Sequence, residues 1–487
     1  MTRPLVIDLG FDLGTTVTKL TALAEDGTKL LDLSAATLWD EYGDGRAERD
    51  PSGVVSAVEE LIARAAATIG ATSLDGGGTP PVSIRSIGVT SMAEAGVLVD
   101  PEGQTRSPVI AWFDPRGEEQ VAAVTPELAD DFPARTGLPV THVASLFKIA
   151  WLRDNGLSLT GLQWLSLPEL VIGRLGGRRV AELSLMGRTG FLDIHTSSLY
   201  RPSLEHLGVT EDFIPELVGA GSPAGRVRAD HPVAAARGAV LTVAGHDHAV
   251  AAAAAGSAVT ASAMDSMGTA EAFVVASDHV PGPDLVRDLC GHGVSVYPHV
   301  VRGTTALLAG MRTGLVLKRV LRLLGADDED GRSRVDHDSL AFRGGRGGDI
   351  GVEGFSMSDR EVTVRLHGDS PTPGRVWRAA LDHSTAHAAE LLSHLGTAGV
   401  PIERLVLAGG WSRMSSVLDA RRALAPSVEV AAIQQPGPRG AALYGRWAAT
   451  RGGSVSSDLR PPAAYFTSVP ETDSVDHAPP LAKEATS

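Results

Sequence analysis

A chain of 487 residues is longer than one hydrophobic core serves, so two domains of ordinary size are expected. A hydrophobic content of 43% with a mean hydropathy of +0.05 suits a globular chain, and a net charge of −15 argues against nucleic acid as the main partner, which calls for a basic footprint. The single cysteine, Cys290, excludes a disulfide framework or a cysteine-rich metal site and points to a reducing cytoplasm.

The N-terminus passes directly into an apolar strand that contains Asp8, without the pattern of a signal peptide. Strands are expected over 5–9 and 17–24, then a turn at Glu25-Asp26-Gly27. Pro51 suits the first turn of a helix over 51–69, with Val54, Val58, Leu61, Ala65 and Thr68 recurring at helical spacing. Strands at 84–90, 96–99 and 109–112 follow. The run 249–264 is interrupted by glycine, serine and threonine and falls short of a membrane span, so no membrane segment is expected.

Farther on, 261–267 and 272–275 read as a hairpin around Gly268-Thr269. Trp377, Leu381, Ser384, Ala388, Leu391 and Leu395 form a helical stripe, and a strand over 404–408 runs into Gly409-Gly410. Beyond residue 450 the composition turns to Ser, Pro, Gly and acidic residues, predicting a mobile tail over 451–487. This mixture of strands and helices is α/β, divided near residue 255.

No glycine-lysine pair occurs, so phosphate binding through the usual G-x-x-x-x-G-K-[ST] loop is excluded. Asp-Leu-Gly occurs twice, at 8–10 and 12–14, and the second copy opens the stretch Asp12-Leu13-Gly14-Thr15-Thr16-Val17-Thr18-Lys19. At a hairpin tip, Gly14 lets the backbone approach a ligand, Thr15 and Thr16 offer N–H and O–H donors, and Asp12 can hold hydrated Mg2+. The first copy lacks these donors, so Asp12 rather than Asp8 is the candidate. An ordinary hairpin turn is the competing reading.

The segment 9–19, LGFDLGTTVTK, resembles the first phosphate motif of the FGGY carbohydrate kinases, members of the actin, hexokinase and Hsp70 superfamily. Three further segments are similar in the family's order: VAGHDH at 243–248, DSMGTA at 265–270, and LVLAGGWSR at 405–413 followed by RGAAL at 439–443. The resemblance implies two ribonuclease-H-like domains with a catalytic cleft between them, a first domain over 1–254 and a second over 255–450. It implies ATP on Asp12, Gly14, Thr15, Thr16, Lys19, Gly268, Thr269, Gly409, Gly410 and Ser412, with Mg2+ on Asp12 and Asp247. Asp247 corresponds to the family's catalytic base, although alone it reads more readily as a helix cap.

For the acceptor, Glu94 in SMAEAG at 91–96 is similar to the glutamate of glycerol kinases, and a carboxylate can accept from two adjacent hydroxyls. Trp112 and Asp114 fall in a segment resembling the family's W-x-D-x-R. Trp112 can wall a sugar's C–H face, Asp114 can accept from hydroxyls, and Arg116 pairs with Asp114 or orders the loop. His248 is a substrate contact or a structural histidine. Two departures stand out: Glu182 replaces the aspartate of a D-x-S-x-A-S-x-T-like stretch, and 340–354 does not align with the family's loop there. The expected function is an ATP-dependent kinase of a small sugar, ketose or polyol, in a family that often forms homodimers. A catalytically degenerate sugar- and nucleotide-binding regulator of the same fold is the alternative.

Overall fold

The computed structural model describes residues 4–72, 81–268, 270–342, 350–357, 359, 361–367, 371–397, 399–451 and 459–468. Thr269 and residues 343–349 of the segment without family counterpart lie outside them. Two six-stranded sheets organise the chain. The first starts with β1 (Leu5–Leu13), β2 (Val17–Ala24) and β3 (Lys29–Ala36), an antiparallel meander. Helix α1 (Pro51–Thr72) then crosses over so that β4 (Val82–Ser91) returns parallel to β1. It buries Val54, Val58, Leu61, Ile62, Ala65 and Ile69. Thr68, expected on that face, is exposed because Ile69 takes the inward position.

Residues 92–222 make an excursion with its own core around Phe132, Phe147 and Phe191. The chain re-enters the first sheet through β5 (Pro223–Arg226) and β6 (Val240–His246), giving the order β5-β6-β4-β1-β2-β3 with β6 parallel to β4. After α2 (Asp247–Ala254) the second sheet repeats the plan. Strands β7 (Ser262–Met267), β8 (Glu271–Ser277), β9 (Val294–Pro298) and β10 (Thr305–Met311) pair antiparallel. Helix α3 (Pro373–Thr397) buries the stripe from Trp377 to Leu395, after which β11 (Arg404–Ala408) lies parallel to β7 and β12 (Ser427–Val430) parallel to β11. In both sheets a run of antiparallel strands, three in the first and four in the second, is extended beside its first member by strands parallel to it, β4 and β6 in one and β11 and β12 in the other, the repeated plan expected of two ribonuclease-H-like domains.

The last long helix, α4 (Pro436–Arg451), corrects the expected assignment of 255–450 to the second domain, because it lies on the first sheet. The approach is so close that a Cβ on Gly10 would sit 1.9 Å from the Pro438 carbonyl oxygen, and one on Gly88 1.9 Å from that of Ala441. Asp8, buried below this seam, accepts from Arg85 Nε at 3.0 Å, Ser86 Oγ at 2.6 Å and Arg446 Nε of α4 at 2.9 Å. The first Asp-Leu-Gly copy is therefore committed to packing.

The expected mobile tail from 451 is corrected for residues 459–468. Trp447 Nε1 donates to Leu459 O at 2.6 Å, Arg302 N to Pro461 O at 3.0 Å, and α5 (Ala463–Thr467) lays Phe466 on Tyr444 with ring centroids 5.1 Å apart. Composition around these residues is polar and proline-rich, but Tyr444 and Trp447 on α4 offer ring faces that Tyr465 and Phe466 cover. Among the described residues no helix is long and apolar enough to cross a membrane.

Gly10→Ala and Gly88→Ala should each destabilise the protein by about 3 kcal/mol or prevent folding, since backbone on α4 must move to admit a methyl group. Gly53→Ala, in α1 where an added Cβ would meet nothing within 4 Å, should be neutral or stabilise by about 0.5–1 kcal/mol. Denaturant unfolding checks both; equal effects at Gly10 and Gly53 would refute the seam.

Candidate active site

The parallel strands bring three loops to one edge. Leu13 of β1 pairs with Ser91 of β4, which pairs with His246 of β6, so the turn at Gly14, the loop carrying Glu94 and Asp247 all leave the carboxyl ends of adjacent strands. Such ends are where open α/β sheets bind ligands. In the second sheet Ser266 of β7 pairs with Ala408 of β11, bringing Gly268 and Gly409 to a common edge.

Asp247 is the first residue of α2. Its Oδ1 accepts from His248 N at 2.6 Å and lies 3.2 Å from His246 Nε2, whereas Oδ2 has no partner among the described residues. Burial, reinforced by Glu94 and opposed by the His248 N–H, Lys19 and Arg188, lifts its pKa from 3.8 to about 7. Asp12, across the β1–β2 hairpin from Lys19, is raised to about 7 by burial and then by the charge of Asp247, with Lys19 and His248 opposing. Asp12 Oδ1 is buried without a hydrogen-bond partner, and a Cβ on Gly437 at the start of α4 would come within 2.6 Å of Oδ2. The buried, unpartnered Asp12 oxygen beside Asp247 is a hard ligand that fits Mg2+. His248, also at this edge and edge-to-face with His246, has its pKa lowered by burial.

The phosphate turn is held by its neighbours. Gly14 O accepts from Thr37 Oγ1 at 3.0 Å and Thr16 O from Thr37 N at 2.9 Å. Thr15 is gripped by two indoles, with Trp39 Nε1 on its carbonyl at 2.7 Å and Trp112 Nε1 on its hydroxyl at 3.1 Å. The Thr15 hydroxyl, expected to donate to ATP, accepts from Trp112 and turns its own O–H to Met92 Sδ at 3.6 Å, a correction to its role. Thr16 is exposed at the tip. Nothing in its own stretch of sequence marks Trp39.

On the acceptor side Glu94 is buried, with a backbone φ of 63° that a glutamate rarely adopts. Its carbonyl accepts from Ser145 Oγ at 3.0 Å, its Oε1 accepts from Arg188 Nε at 2.7 Å, and Oε2 is unpartnered among the described residues. Asp114 is the second correction. Its Oδ2 takes Ala47 N and Arg116 Nη2, both at 2.7 Å, and its Oδ1 takes Arg116 N at 2.8 Å and Nε at 2.9 Å, which fills the carboxylate. It shapes the loop beneath Trp112 and has no lone pair left for a hydroxyl. Lys148, buried and marked by no motif, props the same loop by donating to Trp112 O at 3.1 Å and His142 O at 2.6 Å; burial lowers its pKa to about 8. Arg188 lies in the divergent stretch around Glu182, and only the fold brings it to Glu94.

At the other edge Gly268 is exposed, and its carbonyl accepts from Trp411 Nε1 at 3.1 Å, joining the turn after β7 to the loop after β11. Gly409 has φ 101°, and a Cβ there would lie 2.3 Å from Met267 O, so only glycine fits. Gly410 is exposed with nothing within 4 Å, leaving a flat face. Ser412 is corrected from ligand to turn-former, because its buried hydroxyl donates to Gly409 O at 2.8 Å.

The raised carboxyl groups make a signed prediction. Between pH 3.8 and about 7 the folded protein holds protons that the unfolded chain has released, so the contribution of Asp12 and Asp247 to stability is lost as pH rises through 7. Asp12→Asn should accordingly raise the Tm of the metal-free protein more at pH 8 than at pH 5.5. MgCl2 should raise the wild-type Tm more at pH 8 than at pH 5.5, and this increment should largely vanish in Asp12→Asn. A Mg2+ effect of equal size at both pH values would remove Asp12 from the metal site.

The sequence model described as "FGGY family of carbohydrate kinases, N-terminal domain" matches residues 7–254. The chain is 28% identical over 150 residues to an L-fuculokinase of Salmonella typhi, covering 30% of this chain and 32% of that protein. It is 27% identical over 348 residues to the L-fuculokinase of Escherichia coli (strain K12), covering 68% and 70%. The structure of Plasmodium falciparum glycerol kinase with ADP superposes with a TM-score of 0.80 at 17% identity over 97% of this chain and 94% of that one, a likeness of fold. With its matched first domain, its repeated sheets and its loops gathered at one strand edge, the chain belongs to the FGGY family of carbohydrate kinases, the sugar-phosphorylating phosphotransferases.

Proposed function

We propose that this protein transfers the γ-phosphoryl group of ATP to a hydroxyl of a small neutral ketose or polyol, with Asp247 as the base. The observation that carries this reading is the Asp247 carboxylate, which has one oxygen engaged by the His248 N–H, the other without a partner among the described residues, and a pKa raised by burial to about 7. A general base works best when its pKa lies near the operating pH. As the acceptor O–H bond breaks, the proton goes to Asp247 Oδ2. The freed oxygen bonds to the γ-phosphorus while the bond to the ADP oxygen breaks and ADP leaves with the electron pair. Mg2+ held by Asp12 beside Asp247 supplies neutralisation of the phosphate charge when bound. Lys19 and the backbone N–H groups of Thr15 and Thr16 add donors without a basic surface, the Gly14 N–H being held by Val17 O.

The acceptor class follows from charge. Asp12, Asp247 and Glu94 already place three carboxylates around the site, and Arg188 is paired with Glu94, so an acceptor bearing its own carboxylate would meet net repulsion. Glu94 Oε2 can accept from sugar hydroxyls against the wall of Trp112. Among the relatives, the names of the fuculokinases and a glycerol kinase fit a neutral polyhydroxyl acceptor, whereas that of a gluconokinase of Bacillus subtilis does not, so the charge argument carries the choice. No observation favours the non-catalytic regulator, since Asp12 and Asp247 stand together at the site.

A coupled ADP assay over D-xylulose, D-ribulose, L-fuculose, erythritol and glycerol, with D-gluconate as the charged comparison, tests the proposal. At least one neutral acceptor should yield a sugar phosphate. Asp247→Asn should lower kcat by about 10²–10⁴-fold with ATP binding retained. Glu94→Ala should raise the acceptor KM with little change in the KM for ATP; loss of a charged hydrogen bond of about 1.5–3 kcal/mol corresponds to a roughly ten- to hundredfold fall in kcat/KM. Near-normal turnover in Asp247→Asn refutes the base, and preference for gluconate refutes the charge argument.

A further inference from the structure

We propose that Glu271 and Arg421 are a positioning pair for the nucleotide, a buried ion pair that sets the turn after β7 against the Gly409-Gly410 loop. This rests on the ATP-dependent reading above, with ATP lying between those two loops, and it assigns work to two residues outside every matched segment. Met267 and Glu271 form the last rung of the β7–β8 pairing, and Gly268 N donates to Ala270 O at 2.9 Å to close the turn beyond them. Arg421 ends the short helix Ser415–Arg421, which follows the loop after β11 directly. Each of the two residues is 1% exposed.

The guanidinium joins three elements. Its Nη2 donates to Glu271 Oε1 at 2.7 Å and Oε2 at 2.9 Å, and its Nη1 donates to Thr385 Oγ1 at 2.7 Å and Ser384 Oγ at 3.3 Å on α3. The start of the same helix is fixed as well: Asp336 accepts from Ser415 N at 3.0 Å and Ser416 N at 2.8 Å, and Trp377 Nε1 of α3 donates to Ser416 Oγ at 3.0 Å. At the strand edge the two loops already meet through Trp411 Nε1 on Gly268 O and through the close approach of Gly409 to Met267 O. Trp411 thus ties the turn from the loop, and Arg421 ties the strand beneath it from the core. A buried ion pair adds little net stability over apolar packing, but its directional hydrogen bonds specify one arrangement.

A second carboxylate shows which acid does this. Asp265 is buried two residues before Met267, one rung farther from the turn, where it pairs with Phe273. Neither of its oxygens has a hydrogen-bond partner, and its Oδ2 lies 3.4 Å from Arg421 Nε. Burial, and then the charge of Glu271, push its pKa well above the usual carboxylate range against the pull of Arg421. One guanidinium cannot balance two buried carboxylates, and its hydrogen bonds go to Glu271. Asp265 is the spare acid. Without the Glu271 charge it remains to compensate Arg421, so the fold can survive a change at Glu271 that leaves the turn without its anchor.

Binding of Mg·ADP and of adenosine to the full-length protein, measured by calorimetry, tests the pair without any acceptor or turnover. Adenosine needs only the Gly409-Gly410 loop, whereas ADP must reach both loops. Glu271→Gln should weaken Mg·ADP by about tenfold or more, with adenosine affinity within about twofold of wild type and the protein folded. Arg421→Lys, which keeps the charge but loses the fork, should fall between Glu271→Gln and wild type. Asp265→Asn, which spares the pair, should hold the Mg·ADP affinity within about twofold. Equal weakening of ADP and adenosine in Glu271→Gln, or a fall in Tm with both affinities unchanged, overturns the proposal. So does an Asp265→Asn protein that loses Mg·ADP as Glu271→Gln does. Wild-type protein that binds no Mg·ADP would instead overturn the ATP-dependent reading itself, and the pair with it.

Discussion

Asp8 receives Arg85 and Ser86 from β4 and Arg446 from α4, and this buried carboxylate ties the first two parallel strands to a helix that arrives more than four hundred residues later in the chain. An uncompensated carboxylate there would be costly, and removal of Arg446 would leave one oxygen short of a donor. With the anchor in place, Gly10 and Gly88 let α4 lie directly on backbone, and its first turn reaches Asp12. The position of the phosphate turn relative to the base follows from that seam. Shift α4 by an ångström and the pocket around Asp12 changes before any catalytic side chain is touched.

Charge explains why so acidic a chain handles a polyanion. The chain carries a net charge of −15, and the site itself holds two carboxyl groups whose ionisation is resisted by burial, at Asp12 also by Asp247 and at Asp247 also by Glu94. In the absence of ligand the site lowers its own charge by retaining protons near neutrality. A divalent cation with ATP can replace those protons, so nucleotide recognition depends on local carboxylates and backbone N–H groups and needs no basic surface.

Much of this is legible in the sequence for a physical reason: the motifs are contiguous. Asp12 through Lys19 form one hairpin, Asp247 follows its strand directly, and Gly409-Gly410 ends another, so residue spacing alone places them at strand ends. The meanders and the α1 and α3 stripes are readable because their periodicities are local. Arg188, Lys148 and Trp39 are not, since each acquires its role from a partner between two dozen and more than ninety residues away. Asp114, Ser412 and Thr15 mislead for the converse reason. Their motifs are recognisable, but a motif does not reveal that a carboxylate is already filled by Ala47 and Arg116, or that a hydroxyl is already held by an indole.

The double grip on Thr15 carries the last step. The Trp112 indole N–H, on the loop proposed to wall the acceptor, ends on the Thr15 hydroxyl, while Trp39 holds the carbonyl of the same residue. Lys148 fixes the Trp112 carbonyl from below, and Asp114 fixes the loop through Ala47 and Arg116. Acceptor wall and phosphate turn are thus one hydrogen-bonded unit. Aligning a hydroxyl with the γ-phosphorus requires both to be placed to within a fraction of an ångström, and two independently mobile loops would have to pay that entropy at each turnover. Here folding has already met most of it. In the proposed reaction the acceptor then has only to settle against Trp112 and Glu94 to lie within reach of Asp247, and a ligand too small to touch Trp112, such as water, gains no such placement.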